Sequence, residues 1–247
     1  MAAAQAGAEP GDGQRRRSPV HHAGLRLCGG PGHGDLPRAR PRRVGLGPDV
    51  VLTAAAMRSA AALHELILGG QKSGKSRCAE QRAATWLALP GQRAVLVATA
   101  LAGDDEMRAR IARHRSDRGV HVPALATIEE PLDLACAIAR LSDPGCLVLV
   151  DCLTLWLTNW LMPMAGDVDE AGWAAQRAAL MAAVESVPGP LVLVSNEIGL
   201  GLSPMRAEAR RFVDELGRLH QDLAQCCSRV TLMVAGLPLT IKPGASS

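Results

Sequence analysis

The sequence predicts a doubly wound α/β domain, with a mostly parallel sheet and helices on both faces. Three observations predict it. From His64 onward, short continuous apolar runs recur, separated by longer helix-like stretches. These runs do not alternate polar with apolar residues, as expected for strands covered on both faces. The first run, Leu66-Ile67-Leu68, leads straight into Gly69-Gly70-Gln71-Lys72-Ser73-Gly74-Lys75-Ser76, a G-x-x-x-x-G-K-S pattern. Strand, glycine-rich loop and helix in that order make the domain P-loop NTPase-like.

Residues 1–60 contain no such element. They are rich in Ala, Gly, Pro and Arg and show no sustained periodicity. Such a segment cannot bury enough apolar surface to offset its conformational entropy, so a disordered low-complexity extension is expected. Its arginine clusters, Arg15–Arg17 and Arg38–Arg43, also suit an anion-binding arm or a targeting peptide. Met57, just before the first strand, is an alternative initiator. The folded domain is expected over 61–247.

Strands are expected at Glu65–Leu68, Ala94–Thr99, Leu147–Asp151, Leu191–Ser195 and Val230–Ala235, with a short one at Leu237–Ile241. Among the intervening helices, Phe212, Leu216, Leu219, Leu223 and Cys226 recur at 4-3-4-3 spacing and form one apolar stripe. In this architecture a ligand sits at the carboxyl ends of the strands.

Composition narrows the function classes. Of 27 basic and 24 acidic residues, residues 1–60 hold nine Arg and four acids (Glu9, Asp12, Asp35, Asp49), leaving 18 basic and 20 acidic in the remainder. The domain is therefore close to neutral, and nucleic acid is not an expected partner. There is no Tyr and one Phe, so stacking platforms for single strands are scarce as well. No apolar run approaches a membrane span. Seven cysteines, an odd number without a C-x-x-C pair, argue for reduced thiols in a cytoplasmic protein rather than a disulfide framework or zinc site.

Four segments carry candidate chemistry. In the loop Gly69–Ser76 the glycines let the backbone wrap an anion, Lys75 reaches the β- and γ-phosphates, and the Ser76 hydroxyl can ligate Mg²⁺. Leu147–Val150 ends in Asp151, a carboxylate placed to hold Mg²⁺ directly or through water, or else a helix cap. Asp104–Arg115 reads as a helix with acids in its first turn and bases in its last. Its Met107, Ile111 and His114 share one face. An imidazole among guanidiniums stays unprotonated where phosphate is attracted, but on spacing alone the better reading is an ordinary amphipathic helix with a basic end. Ser195-Asn196-Glu197 with Gly199 and Gly201 follows a strand, as ligand contacts or as a capped turn.

Together these segments resemble the bifunctional adenosylcobinamide kinase/adenosylcobinamide-phosphate guanylyltransferase family of cobalamin biosynthesis. The matching stretches are 69–76, A-T-A at 98–100, D-D-E-M-R-A-R-I-A-R-H-R at 104–115 and V-D-C-L-T-L-W-L-T-N at 150–159. S-N-E-I-G-L-G-L-S-P at 195–204, R-F-V-D-E-L-G-R-L-H-Q at 211–221 and A-G-L-P-L-T-I-K at 235–242 complete the set, in consistent order over 64–242. The resemblance implies two reactions at one nucleotide site. A nucleoside triphosphate, ATP or GTP, phosphorylates the aminopropanol hydroxyl of adenosylcobinamide; GMP from GTP is then transferred to that phosphate through a guanylyl-histidine intermediate.

By position the resemblance makes His114 the nucleophile. It gives the nucleotide contacts to Gly69, Gly70, Gln71, Lys72, Ser73, Gly74, Lys75, Ser76, Ala98, Thr99, Ala100, Arg115, Ser116, Asp117, Arg118, Glu129 and Asp151, with Ser76 and Asp151 at Mg²⁺. It also implies a homotrimer. Four features depart from the family pattern: Lys72 stands for Arg, 119–129 is longer and lacks a Trp, Val213 stands for Arg, and His220 stands for Asn. Two other readings remain beside it, a kinase-only homologue and a P-loop ATPase switch of unrelated role.

Overall fold

In the computed structural model the described residues are 64–101, 103, 105, 108–109, 112–113, 116 and 121–244. Seven strands form one sheet: β1 Glu65–Gly69, β2 Arg93–Ala98, β3 Ala126–Glu129, β4 Cys146–Asp151, β5 Leu191–Val194, β6 Arg229–Val234 and β7 Leu237–Lys242. Their order is β3-β2-β4-β5-β1-β6-β7. All neighbours are parallel except β6 and β7, which pair antiparallel across a tight turn. The expected mostly parallel sheet is observed, and each of the six predicted strands lies within a residue or so of its expected bounds.

Five helices have described bounds: α1 Lys75–Leu87, α2 Leu134–Leu141, α3 Leu153–Leu161, α4 Glu170–Ser186 and α5 Ala207–Cys226. The period of two along each strand divides the core in two. Leu66, Val97, Val148, Val150 and Leu193 face one side and pack with Ile138 of α2, Trp156 of α3, Leu180 of α4 and Leu216 of α5. Ile67, Leu96, Leu149 and Val194 face the other side, against Cys78, Ala79 and Ala83 of α1. Trp156 and Trp173 stack tilted, with ring centroids 5.2 Å apart. The continuous apolar runs are thus strands buried on both faces.

One strand departs from the sequence-based expectation. β3 lies at a sheet edge with β2 as its single partner, and three of its four residues are exposed. A strand covered so little needs no apolar run, so Ala126-Thr127-Ile128-Glu129 carries no strand signal. Among the described residues Cys78, Cys146, Cys152, Cys226 and Cys227 are free thiols. No helix among the described residues is long and apolar enough to cross a membrane.

Candidate active site

The carboxyl ends of β1, β5 and β4 build the site, and the loop after β1 is its centre. Gly69 has φ +154°, and a Cβ there would lie 2.6 Å from both the Met233 carbonyl oxygen and Ser73 Oγ. Only glycine fits. Lys72 and Gly74 then take left-handed conformations, φ 56° and 97°, which turn the chain back into α1. The Ser73 N–H donates to the Gly70 carbonyl at 3.2 Å, and the Gly236 N–H from the β6–β7 turn donates to the Ser73 carbonyl at 3.0 Å. The cradle is therefore anchored from two sides.

Lys75 is buried, and its ammonium donates to the Gly70 carbonyl at 2.6 Å, across the mouth of the loop. The start of α1 has Gly74 as its cap, with no side-chain cap hydrogen bond and no acid in its first turn. The partial positive charge of that terminus is thus uncompensated by a local carboxylate. Loop N–H groups, helix terminus and ammonium converge as an anion site. Ser73 Oγ is buried without a hydrogen-bond partner, and Ser76 follows half-buried on the helix.

Asp151 ends β4, half-buried. Because β5 stands between β1 and β4, two strand spacings, about 9.5 Å, separate it from the β1 axis. Carboxylate and hydroxyl oxygens are hard donors of the kind Mg²⁺ takes alongside substrate phosphates, so Asp151 and Ser76 fit that ion. Among the described residues no group of three or more His, Cys, Asp or Glu forms a cage of its own.

Thr99 is fully buried behind Asp151. Its hydroxyl donates to the Cys152 carbonyl at 2.7 Å and accepts from the Cys152 N–H at 3.0 Å. This side chain positions the end of β4, while its half-buried neighbours Ala98 and Ala100 border the site. Burial, with Asp151 adjacent, pushes the Cys152 thiol up to about 11, so it is neutral. Asn159 of α3 donates to the carbonyls of Thr99 and Pro131, tying the ends of β2 and β3 together.

Of the remaining predicted contacts, Glu129 and Ser116 are among the described residues. Glu129 registers with Ala98 at the sheet edge, four strand positions or about 19 Å from β1, so it is not part of the phosphate cradle. Ser116 is helical and exposed, like Arg113. His114, Arg115, Asp117 and Arg118 lie outside the described residues.

The segment Ser195–Glu197, which the sequence left open between ligand contacts and a capped turn, lies beside the cradle, and its contact with His220 carried no sequence signal. β5 continues its ladder beyond its last strand residue: the Ser195 N–H donates to Ile67 O and the Glu197 N–H to Gly69 O, at 3.0 and 2.9 Å. Glu197 therefore stands at the root of the cradle. His220 of α5 lies behind it, buried, with Nε2 2.8 Å from Ser195 Oγ and Nδ1 3.7 Å from Glu197 Oε2. Burial lowers the His220 pKa, and the Glu197 carboxylate opposes that shift. A separate groove of about 740 Å³ between α4 and α5 is lined by Trp173, Arg177, Arg211 and Glu215. Its arginines are engaged by Asp222 and Glu170, and it shares no residue with the cradle.

Comparison with known proteins shows the family. The family model described as cobinamide kinase / cobinamide phosphate guanyltransferase matches residues 65–241. The bifunctional adenosylcobalamin biosynthesis protein CobP of Pseudomonas aeruginosa is 47% identical over 180 residues, covering 73% of this chain and 98% of that protein. The bifunctional adenosylcobalamin biosynthesis protein CobU of Escherichia coli is 37% identical over 186 residues, covering 72% and 98%. Among solved structures, the flagellar accessory protein FlaH from Methanocaldococcus jannaschii aligns over 75% of this chain and 82% of its own, with TM-score 0.43 and 13% identity.

Proposed function

The chain belongs to the cobinamide kinase / cobinamide phosphate guanyltransferase family, and on that premise we propose that both reactions run at the one cradle of Gly69–Ser76. The observation that carries this reading is the cradle itself. A buried lysine and an acid-free helix terminus meet there at the carboxyl edge of a parallel sheet. Such a site binds a triphosphate in whichever reaction that triphosphate is used.

In the first reaction Lys75 and the loop N–H groups hold the β- and γ-phosphates of ATP or GTP while the hydroxyl of adenosylcobinamide attacks the γ-phosphorus. Mg²⁺, held by Ser76 and Asp151, would neutralise developing phosphate charge. In the second, His114 is the nucleophile that takes GMP from GTP and passes it to the cobinamide phosphate, giving adenosylcobinamide-GDP. Covalent catalysis divides a transfer between two anions into two easier steps. Arg115, Ser116, Asp117, Arg118 and Glu129 serve the nucleoside end of GTP, and Ala98–Ala100 line the path between. The working form is a cytoplasmic homotrimer, and the near-neutral domain gives nucleic acid no footprint.

The test is incubation with GTP labelled at the α-phosphate, followed by assay for acid-labile, alkali-stable label on the protein. Wild type should take the label and His114→Ala should not. Labelling that persists in His114→Ala removes the proposed nucleophile. Phosphorylation of adenosylcobinamide without any label leaves a kinase-only enzyme.

A further inference from the structure

His220 sits on the apolar stripe of α5, four residues after Leu216, where a buried polar ring costs free energy unless it is partnered. Its partners form a single line. The Asn196 N–H donates to Thr154 Oγ1 at 2.8 Å, Thr154 Oγ1 lies 3.2 Å from Ser195 Oγ, and Ser195 Oγ lies 2.8 Å from His220 Nε2. One direction satisfies every member: Thr154 donates to Ser195, Ser195 donates to Nε2, and the ring proton rests on Nδ1, facing Glu197. The reverse direction would put the bare Nδ1 lone pair against a carboxylate. At 3.7 Å the Nδ1–Oε2 approach is an electrostatic contact rather than a formed hydrogen bond.

Glu197 is held at its other oxygen too, where Oε1 accepts from the Gly199 N–H at 2.7 Å. Each oxygen keeps a second lone-pair direction, and the side chain is 21% exposed. A carboxylate aimed from both sides, open to solvent and rooted at Gly69, is arranged to receive a proton beside bound phosphates.

Resting on the function proposed above, we infer that Glu197 is the base of the phosphorylation step and His220 the positioning residue that aims it. The acceptor O–H bond breaks and its proton passes to Glu197. The freed oxygen bonds to the γ-phosphorus, and the bond from that phosphorus to the β,γ-bridging oxygen breaks, releasing nucleoside diphosphate. The guanylyl transfer has no such need, because its acceptor is already a phosphate anion. Glu197 therefore separates the two reactions.

The experiment uses the full chain and measures phosphorylation of adenosylcobinamide and, independently, guanylyl transfer to preformed adenosylcobinamide phosphate. Glu197→Gln should lower kcat of phosphorylation about 100-fold, the scale of general-base catalysis, with KM for the triphosphate within about threefold. Guanylyl transfer should stay within about threefold of wild type, since no proton is removed from its acceptor. His220→Asn, whose amide can still donate toward Glu197, should retain more kcat than His220→Ala at unchanged KM. Equal losses in both reactions, or full kinase activity in Glu197→Gln, would overturn the assignment while leaving the proposed function intact. Absence of phosphorylation by wild type would overturn that function and this inference with it.

Discussion

Replacing Gly69 by alanine tests the cradle at its tightest point. The new Cβ would meet the Met233 carbonyl oxygen and Ser73 Oγ, both at 2.6 Å, where ordinary contact begins near 3.4 Å. Ser73 could rotate away, but the Met233 carbonyl belongs to β6, registered directly against Gly69. Relief therefore means parting the β1–β6 ladder. A φ of +154° adds strain of about 1–3 kcal/mol for an L residue. Overpacking against rigid backbone adds about 1–3 kcal/mol. The expected loss is about 3 kcal/mol, read from urea unfolding as a lower midpoint at unchanged slope. Gly70→Ala is the control: nothing lies within 4 Å of its Cβ, so a change within about 0.5 kcal/mol is expected. Equal stability losses in the two variants would refute the reasoning, because only Gly69 has a backbone atom in its way.

Lys75→Ala should weaken triphosphate binding by about 10- to 150-fold, the worth of one charged hydrogen bond of about 1.5–3 kcal/mol, as measured by titration with a fluorescent nucleotide. His64 and His220 both have pKa values lowered by burial. The unfolded chain takes up protons on these rings near 6.5 while the folded chain resists, so stability is fully present above about pH 6.5 and falls as pH drops below it. Urea midpoints at pH 7.5 and 5.5 should show the decline, and His220→Asn should reduce it. Burial pushes Cys152 up to about 11 and Cys227 up to about 12, so a thiol reagent at neutral pH should spare both until the protein unfolds, while the half-buried Cys226 reacts before either.

The cradle was legible because its causes are local. Eight consecutive residues contain the glycines, the lysine and the hydroxyl, and backbone sterics within that loop dictate its shape. The strands were legible for a similar reason, since burial on both faces leaves continuous apolar runs. Edge strand β3, covered on little of its surface, leaves no such trace. The commitment of the Thr99 hydroxyl to the Cys152 carbonyl was not legible either, because it joins residues 53 positions apart.

By itself, then, the sequence determined a mostly parallel α/β sheet, a phosphate cradle at the end of its first strand, and membership of one enzyme family. Tertiary structure alone decided that β5 stands between the cradle strand and the strand of Asp151. It also decided that Glu197 and His220 meet at the cradle's root. Strand order follows from crossovers and from how α5 packs on the sheet, interactions between segments far apart in the chain. A pattern of neighbouring residues specifies local backbone shape and burial, but it carries no record of which distant side chain will stand behind it.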